Sequence, residues 1–517
     1  MAGLRVLVLV VLAGALQAVG AALPPPERSY NILMLLPVSS KSHRNVFMPL
    51  AKALTQRGHK ITMLSNQPAP DNNPNIRYIE NPSKHVDTDK VNAFEILGSP
   101  EKMFKTFTEL IPKVAQEIYK VAEVADLYEK RREFDLIVID ALFNEVMYPF
   151  THNHTFMTIN PGELHPSFSA SMGNFLNPAY VSNMLENYQH PFSLLDRWKN
   201  LIMSVILPFH WERAIVTPVQ AEISKQFPDL PRLDDLKRNQ SLTLINSHFS
   251  VGQPLPLLPN QVEVGGLHIG PPAALPKDLS DFLSGTTPVV YMSLGSIARS
   301  SAMPQEYKDI FFSAFAKLPY KVLWKFEEKP PKKAKNLFVQ SWMPQQDVLA
   351  HPNVKVFISH CGWLGSQESL YFGTPILGLP IFGDQPKNAL ALEHAGVARS
   401  LAWADLNEQR LMDSITELIE NPKYREKAEK ISAAMKDRPL SAVETAVYWT
   451  EYVIRHQGAV HLRSPERDLT WVQLLHLDLL LLLHVALYLV YLIISKLLAF
   501  FCGGSRSKAK RMKGKRD

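Results

Sequence analysis

Short apolar runs alternate with stretches whose apolar residues recur every three or four positions, and the chain does this twice. In the first half the runs are Asn31 to Leu36, Ile61 to Leu64, Leu136 to Ile139 and Thr155 to Ile159. A nearly continuous apolar run reads as a strand covered on both faces, which is how parallel sheets are built. After the polar loop Val38 to Asn45, the residues Val46, Phe47, Leu50, Ala51 and Leu54 keep helical spacing, and Gly58 supplies the stop. Helical patterns fill Pro100 to Lys130 and dominate 162–240. The proline-studded stretch from Gly252 to Pro272 breaks the alternation and predicts a linker over 256–272. A second alternation follows: strands at Val289 to Ser293, Lys321 to Lys325, Asn336 to Gln340, Val354 to Ile358 and Ile376 to Leu379, with helices over Glu306 to Lys317 and from near Ser366. Leu406 to Arg438 and Ala442 to Arg455 are helical. At 517 residues the chain exceeds one core. The pattern predicts an α/β fold of two doubly wound domains, 22–255 and 273–460, facing a cleft.

The two ends change the picture. Arg5, the apolar run Val6 to Leu16 and the small residues near Ala18 to Ala22 form a secretory signal pattern, residues 1–21. Leu479 to Phe501 is apolar apart from His484, Ser495 and Lys496, and as a helix runs about 34 Å, enough to cross a bilayer. A cleaved signal followed by the basic tail 502–517 predicts a single-pass protein with its body in the lumen and its tail in the cytosol. Lys513 and Lys515 resemble a dilysine retrieval signal, which points to the endoplasmic reticulum membrane. That tail holds seven Lys and Arg against Asp517, the whole +6 excess of the chain. The body is therefore near neutral, and the high pI is no argument for nucleic-acid binding. The two cysteines, Cys361 and Cys502, fall on opposite sides of the expected membrane, so no intrachain disulfide is expected. Asn153 and Asn239 open N-glycosylation sequons suited to a luminal body.

The stretch Trp342 to Asn388 carries the densest chemistry. A buried-looking strand leads into a turn holding His360, Gly362 and Gly365, then a helix, a second strand and the polar pair Asp384-Gln385. A glycine turn before a helix places free N–H groups and a positive dipole end where a phosphate can sit. Neither half has G-x-G-x-x-G after its first strand, nor G-x-x-x-x-G-K-[ST], which argues against a nicotinamide-dependent reductase and against P-loop nucleotidases.

With Ser293-Leu-Gly295-Ser296, Leu323-Trp-Lys325-Phe326, Trp342-Met-Pro-Gln345, His360 to Glu368 and Asp384-Gln385 in this order and spacing, the chain resembles the UDP-glycosyltransferase superfamily and its GT-B fold over nearly its whole length. The resemblance implies a donor site in which Trp342 stacks on uracil, Gln345 reads its edge, Glu368 takes both ribose hydroxyls, and Asp384 and Gln385 meet the sugar. Gly295, Ser296, Lys325, His360, Gly362 and Gly365 would surround the diphosphate. UDP-sugar is then a co-substrate, and neither a cofactor nor a metal is implied. The segment His360-Cys361-Gly362-Trp363-Leu364 departs from the family wording. A Cβ at 361 needs a negative φ or an absorbed cost, and Leu364 stands where plant relatives carry a phosphate-contacting Asn.

In the first half, His43 is read as lying in the loop just before a helix that begins near Val46, and Asp140 ends a strand. The resemblance makes His43 the catalytic base and Asp140 its orienting partner, with the helix N-terminus expected to lower the imidazole pKa. The reaction implied is inverting transfer of a hexosyl group, glucose or glucuronate, to a hydroxyl of a small lipophilic acceptor. Lys325 and the wording around it favour UDP-glucose. Phe104, Phe107, Phe168, Met172, Phe175 and Met184 predict an apolar acceptor pocket. A membrane-anchored UDP-sugar binder without transferase activity is the alternative, and self-association into a homo-oligomer is left open.

Overall fold

The strands, labelled β1 to β13, assemble around two switch points, and the switch points decide where ligands can go. The computed structural model describes residues 23–81, 92–143, 145–183, 185–186, 188–330 and 334–513, with side chains as far as 501. The signal pattern, Met184, Lys515 and the Cys502 side chain lie outside that description. Among the described residues, β1 (Asn31–Leu36), β2 (Lys60–Ser65), β3 (Ile76–Glu80), β4 (Leu136–Asp140), β5 (Phe156–Asn160), β6 (Leu242–Ile245) and β7 (Gln261–Glu263) form one parallel sheet in the order β3-β2-β1-β4-β5-β6-β7. A second parallel sheet follows the order β10-β9-β8-β11-β12-β13, from β8 (Val289–Ser293), β9 (Lys321–Lys325), β10 (Leu337–Gln340), β11 (Val354–Ser359), β12 (Ile376–Gly378) and β13 (Ala398–Ser400). The winding reverses between β1 and β4 and between β8 and β11. In doubly wound sheets the carboxyl ends of such strands open onto the ligand crevice.

The strands are apolar because both faces are covered. Ile32 to Leu36 and Leu136 to Ile139 are fully buried, and burial of each such side chain stabilises by about 1.5–3 kcal/mol. The helix Lys41–Gln56 packs Val46, Phe47, Leu50 and Leu54 onto one face of the first sheet. It starts at Lys41, a turn earlier than its apolar residues suggest, because the Ser40 side chain accepts the His43 amide at 3.3 Å.

Two segments join the first half against expectation. Gln261–Glu263 pairs with β6 as an edge strand, although its sequence reads as linker. Its three residues pair in parallel register with Thr243, Leu244 and Ile245. The helix Ala442–Arg455 buries Ala446, Val447 and Val453 in the core beneath Val46 and Leu50, so it belongs to the first domain and not to the second. Glu451, 2% exposed, fastens it there. Its carboxylate accepts Arg57 Nε at 2.5 Å and His59 Nε2 at 3.0 Å. Burial alone lifts the Glu451 pKa, but those hydrogen bonds and the Arg57 charge overcome it and hold the group below its ordinary value. The region 406–438 is two helices, Glu408–Glu420 and Pro422–Lys436, broken where Asn421 caps the second and Pro422 takes its first position.

Residues 464–517 form a separate unit. A short helix, Trp471–Leu474, carries a Thr470/Gln473 capping box, and the long helix Leu477–Lys513 follows. Its segment Leu477–Phe501 is, by length and composition, the one helix among the described residues able to cross a membrane.

Candidate active site

β1 and β4 are neighbours at the first switch point, and each delivers one residue to the crevice. The chain leaves β1 and turns at Ser40, placing His43 in the first helical turn. β4 ends at Asp140. Asp140 Oδ2 lies 3.1 Å from His43 Nδ1, and Asp140 Oδ1 accepts the Leu142 amide at 3.0 Å. The Asp140 side chain is wholly buried while the His43 ring keeps 22% of its surface. A buried carboxylate on Nδ1 holds that nitrogen as the N–H donor and leaves Nε2 as a bare acceptor.

The His43 pKa moves opposite to the sequence-based expectation. Burial lowers it, yet the Asp140 charge, the Asp140 hydrogen bond and the charge of Asp384 together outweigh burial, and the net shift is upward from 6.5. The helix terminus loses to a carboxylate at contact distance. The influence of Asp384, which belongs to the second half, also puts the two halves of the site within electrostatic reach.

At the second switch point β8 feeds Gly295 and Ser296 while β11 feeds His360. Gly295 has φ +87, and a Cβ there or on Gly362 would sit 2.7 or 2.5 Å from the His360 ring. Only glycines let the two loops close around this imidazole. Its pKa falls to about 4, through burial first and Lys325 second, so His360 is neutral, and its Nδ1 has no partner among the described residues. Lys325 Nζ donates to Gly295 O at 2.8 Å and to Glu327 at 3.2 Å. Ser296 is exposed beside this pair.

The helix after the turn runs Trp363–Tyr371, one turn earlier than expected. Gly362 is its N-cap and, among the described residues, no side chain caps it. Its first amides therefore point outward unsatisfied beside His360. Glu368, 7% exposed on this helix, accepts Gln345 Nε2 at 2.5 Å and Gln346 Nε2 at 3.0 Å. A carboxylate offers about four lone-pair sites, so two remain for a diol. Trp342, at the start of the segment leading to Gln345, exposes 67% of its surface. Gly365 lies against Gln345, whose Oε1 accepts Tyr291 OH at 3.3 Å. Asp384 opens the helix Gln385–His394. Burial raises its pKa against the Asn388 hydrogen bond at 2.7 Å. The Gln385 carbonyl turns inward, accepting the Ile381 and Phe382 amides at 2.8 and 3.1 Å, so it shapes the loop.

The unusual segment resolves into packing. Cys361 adopts φ +61, not the negative value a Cβ prefers. The cost is absorbed because its side chain is wholly buried in the space that the glycine at 378 leaves open. Leu364 points away from the turn and packs with the core of the first half. Trp363 Nε1 and Gln367 Nε2 both donate to Asn246 O at 2.7 Å, His268 Nε2 meets Leu364 O at 3.2 Å, and Lys387 reaches Glu163 at 3.0 Å. These contacts between the halves were invisible in the sequence, as was the role of Gln346, although it neighbours Gln345.

On the acceptor side, Phe107 stacks on Phe143 at 4.2 Å and Phe143 meets Trp211 at 5.4 Å, three residues beyond Asp140. Phe104 stacks on His210 at 4.6 Å. Phe168 lies under Lys237 Nζ at 4.4 Å, Phe175 is exposed, and Met172 is buried against Gln240 and Gln261. This wall is less apolar than expected. Glu145, 3% exposed, takes Trp211 Nε1 on one oxygen, the other has no partner among the described residues, and burial pushes His165 down to about 3.

The family model described as UDP-glucoronosyl and UDP-glucosyl transferase matches residues 33–512. UDP-glycosyltransferase UGT5 of Dactylopius coccus is 36% identical over 491 residues, covering 92% of this chain and 91% of its own length. UDP-glucuronosyltransferase 2B7 of Homo sapiens is 30% identical over 507 residues, covering 92% and 94%. Among solved structures, glycosyltransferase VinC in complex with DTDP superposes with TM-score 0.56 at 19% identity, covering 83% of this chain and 100% of that one. The calicheamicin glycosyltransferase CalG4 gives TM-score 0.55 at 18% identity over 83% and 99%. At these identities the structural likeness speaks for the GT-B fold alone.

Proposed function

Because the chain belongs to the UDP-glucuronosyl and UDP-glucosyl transferase family, and is a glycosyltransferase on that ground, we propose that it transfers a hexosyl group from a UDP-sugar to a hydroxyl of a small lipophilic acceptor with inversion, using His43 as base. The observation that carries this reading is the 3.1 Å contact between His43 Nδ1 and buried Asp140. Nε2 takes the acceptor proton as the acceptor oxygen bonds to the anomeric carbon, and the bond to the diphosphate oxygen breaks with its electron pair leaving on UDP. Asp140 steadies the imidazolium so formed.

On the donor side Trp342 stacks on uracil and Gln345 reads its edge. Glu368 takes the ribose hydroxyls on its remaining lone pairs. The amides at the start of Trp363–Tyr371, Ser296 and neutral His360 as a hydrogen-bond donor receive the leaving diphosphate, with Lys325 holding the Gly295 loop. Asp384 accepts from sugar hydroxyls, and Gln385 supports the loop that presents it. UDP-glucose is the favoured donor over UDP-glucuronate, since a second carboxylate beside buried Asp384 is disfavoured. The segment Leu477–Phe501 anchors the body in the endoplasmic reticulum membrane, with the body luminal.

The test is turnover of a phenolic acceptor in membranes carrying His43→Ala, with both donors in competition. His43→Ala lowers kcat by ~10²–10⁴-fold while UDP binding persists. Undiminished turnover removes His43 from the chemistry, and binding without turnover in the unaltered chain supports the non-transferase alternative.

A further inference from the structure

The helix Leu194–Trp211 is built inside out. Its rotation is fixed by Asn200, wholly buried, whose amide donates to Pro178 O at 2.6 Å and Val181 O at 2.7 Å and accepts the Asn183 amide at 2.9 Å. Met203, Ser204, Leu207, Pro208 and Trp211 fall on that same inward stripe and are half-buried. The opposite face carries Leu194, Leu195, Trp198, Leu201, Ile202, Val205, Ile206 and Phe209, all exposed, at 37% to 77%. At 100° per residue these eight occupy an arc of about 140° that contains no polar side chain. Arg197 borders the arc on one side and Lys199 on the other, both exposed.

A surface helix ordinarily turns its apolar stripe to the core. Here a buried asparagine network locks the apolar stripe outward. Together the eight residues expose on the order of 900 Å², beyond the few hundred a soluble monomer tolerates in one patch. A protein partner on such an area would bring about one hydrogen bond per 100–200 Å², and the arc offers one side-chain donor, the Trp198 indole N–H, and no acceptor. Acyl chains ask for none. An apolar arc with a tryptophan in it and cations along both edges fits the boundary between acyl chains and anionic headgroups. The run Leu201 to Phe209 is too short to span a bilayer, so the helix lies in the interface. We propose that Leu194–Trp211 is an in-plane membrane contact of the body, additional to the Leu477–Phe501 anchor.

The test uses the full chain with Cys502→Ser, reconstituted into vesicles of phosphatidylcholine and phosphatidylserine, with a nitroxide on Val205→Cys or Lys199→Cys. Cys361 is buried and stays in place. Collision with oxygen and with a water-soluble nickel chelate is then compared at the two sites. Lipid seating gives a several-fold higher oxygen-to-nickel ratio at Val205 than at Lys199. Equal, nickel-accessible behaviour at both places the helix in water and overturns the proposal. Dipolar broadening at Val205 that disappears on dilution with unlabelled chain shows a second copy covering the face, and overturns it too. Resistance of the unlabelled chain to carbonate extraction reports the anchor separately, so loss of the anchor and loss of this contact remain distinguishable.

Discussion

Replacing Asp140 by Asn removes one buried charge and keeps the side-chain shape. In the native site the carboxylate lies 3.1 Å from His43 Nδ1 and is wholly buried. Opposite charges about 4 Å apart at an effective dielectric near 20 are worth about 4 kcal/mol. That equals about three pKa units before burial, which acts in the other direction, takes its share. The native imidazole accordingly sits above 6.5. In the proposed role His43 accepts a proton only when neutral, so kcat/KM should rise with pH through that raised value. In Asp140→Asn the acidic limb falls by about one to three units, while the plateau drops ~10²–10⁴-fold because the amide no longer fixes the Nδ1–H tautomer or steadies the imidazolium. The stability sign agrees. A raised histidine pKa stabilises the fold below the unfolded value and loses that contribution as pH climbs through the folded one, so the variant loses its acid-side advantage. The assay is kcat/KM for UDP-glucose and a phenol from pH 5 to 9, with unfolding midpoints alongside. A limb that stays in place or moves upward refutes the assignment of Asp140 as the source of the shift.

Trp342→Ala removes an exposed stacking face. Donor KM should rise by one to two orders of magnitude, from about 1–3 kcal/mol of base stacking, while kcat changes little. Glu451→Gln leaves Arg57 and His59 without their shared anion. A loss of about 3–5 kcal/mol is expected, read as a lower unfolding midpoint without a change in donor KM. Cys361→Gly relieves a left-handed φ worth about 1–2 kcal/mol and gives up a buried thiol of similar value. The expected net change is under ~1 kcal/mol with donor affinity intact, and a large loss of affinity would return this residue to the phosphate turn. Trp198→Glu with Val205→Glu should raise KM for acceptors that partition into the bilayer and leave KM for a water-soluble acceptor unchanged.

Strand positions were legible because a parallel sheet covered on both faces demands uninterrupted apolar runs, and β1 and β8 fall on the residues the pattern indicates. Helix starts were not. Both functional helices begin a turn before their apolar periodicity, one behind the Ser40 cap and one behind Gly362, whose missing side chain leaves no capping signal. Gln261–Glu263 is a strand only because β6 offers it a partner. An amphipathic pattern says that Ala442–Arg455 is half-buried but not against which domain. The choice of His43, Asp140, His360 and Glu368 as candidates rested on spacing and resemblance. The direction of the His43 shift did not, because it depends on a distance between two residues 97 apart in sequence, one on a helix and one ending a strand.

Sequence wording at 361 and 364 suggested a weakened phosphate turn, and the geometry gives both side chains a packing task. Trp363, Leu364 and Gln367 all lie on the helix that supplies the outward amides and Glu368, and all three are engaged with the first half. A backbone amide binds phosphate whatever side chain it carries, so an Asn at 364 can be given up if the helix terminus stays in place. Asn246 O accepts both Trp363 and Gln367, and Gly266 N donates to Gln367 at 2.7 Å, so the helix cannot shift without breaking buried hydrogen bonds on the other domain. Each such break costs about 1–3 kcal/mol. The helix Trp363–Tyr371 is therefore held against the first half by Trp363, Leu364 and Gln367. Lys387, one turn beyond Asp384, adds a tie to Glu163 of the first half. A site divided between two domains works only while the anomeric carbon stays within reach of Nε2, and near-attack geometry lost by about 1 Å costs on the order of 10²-fold in rate.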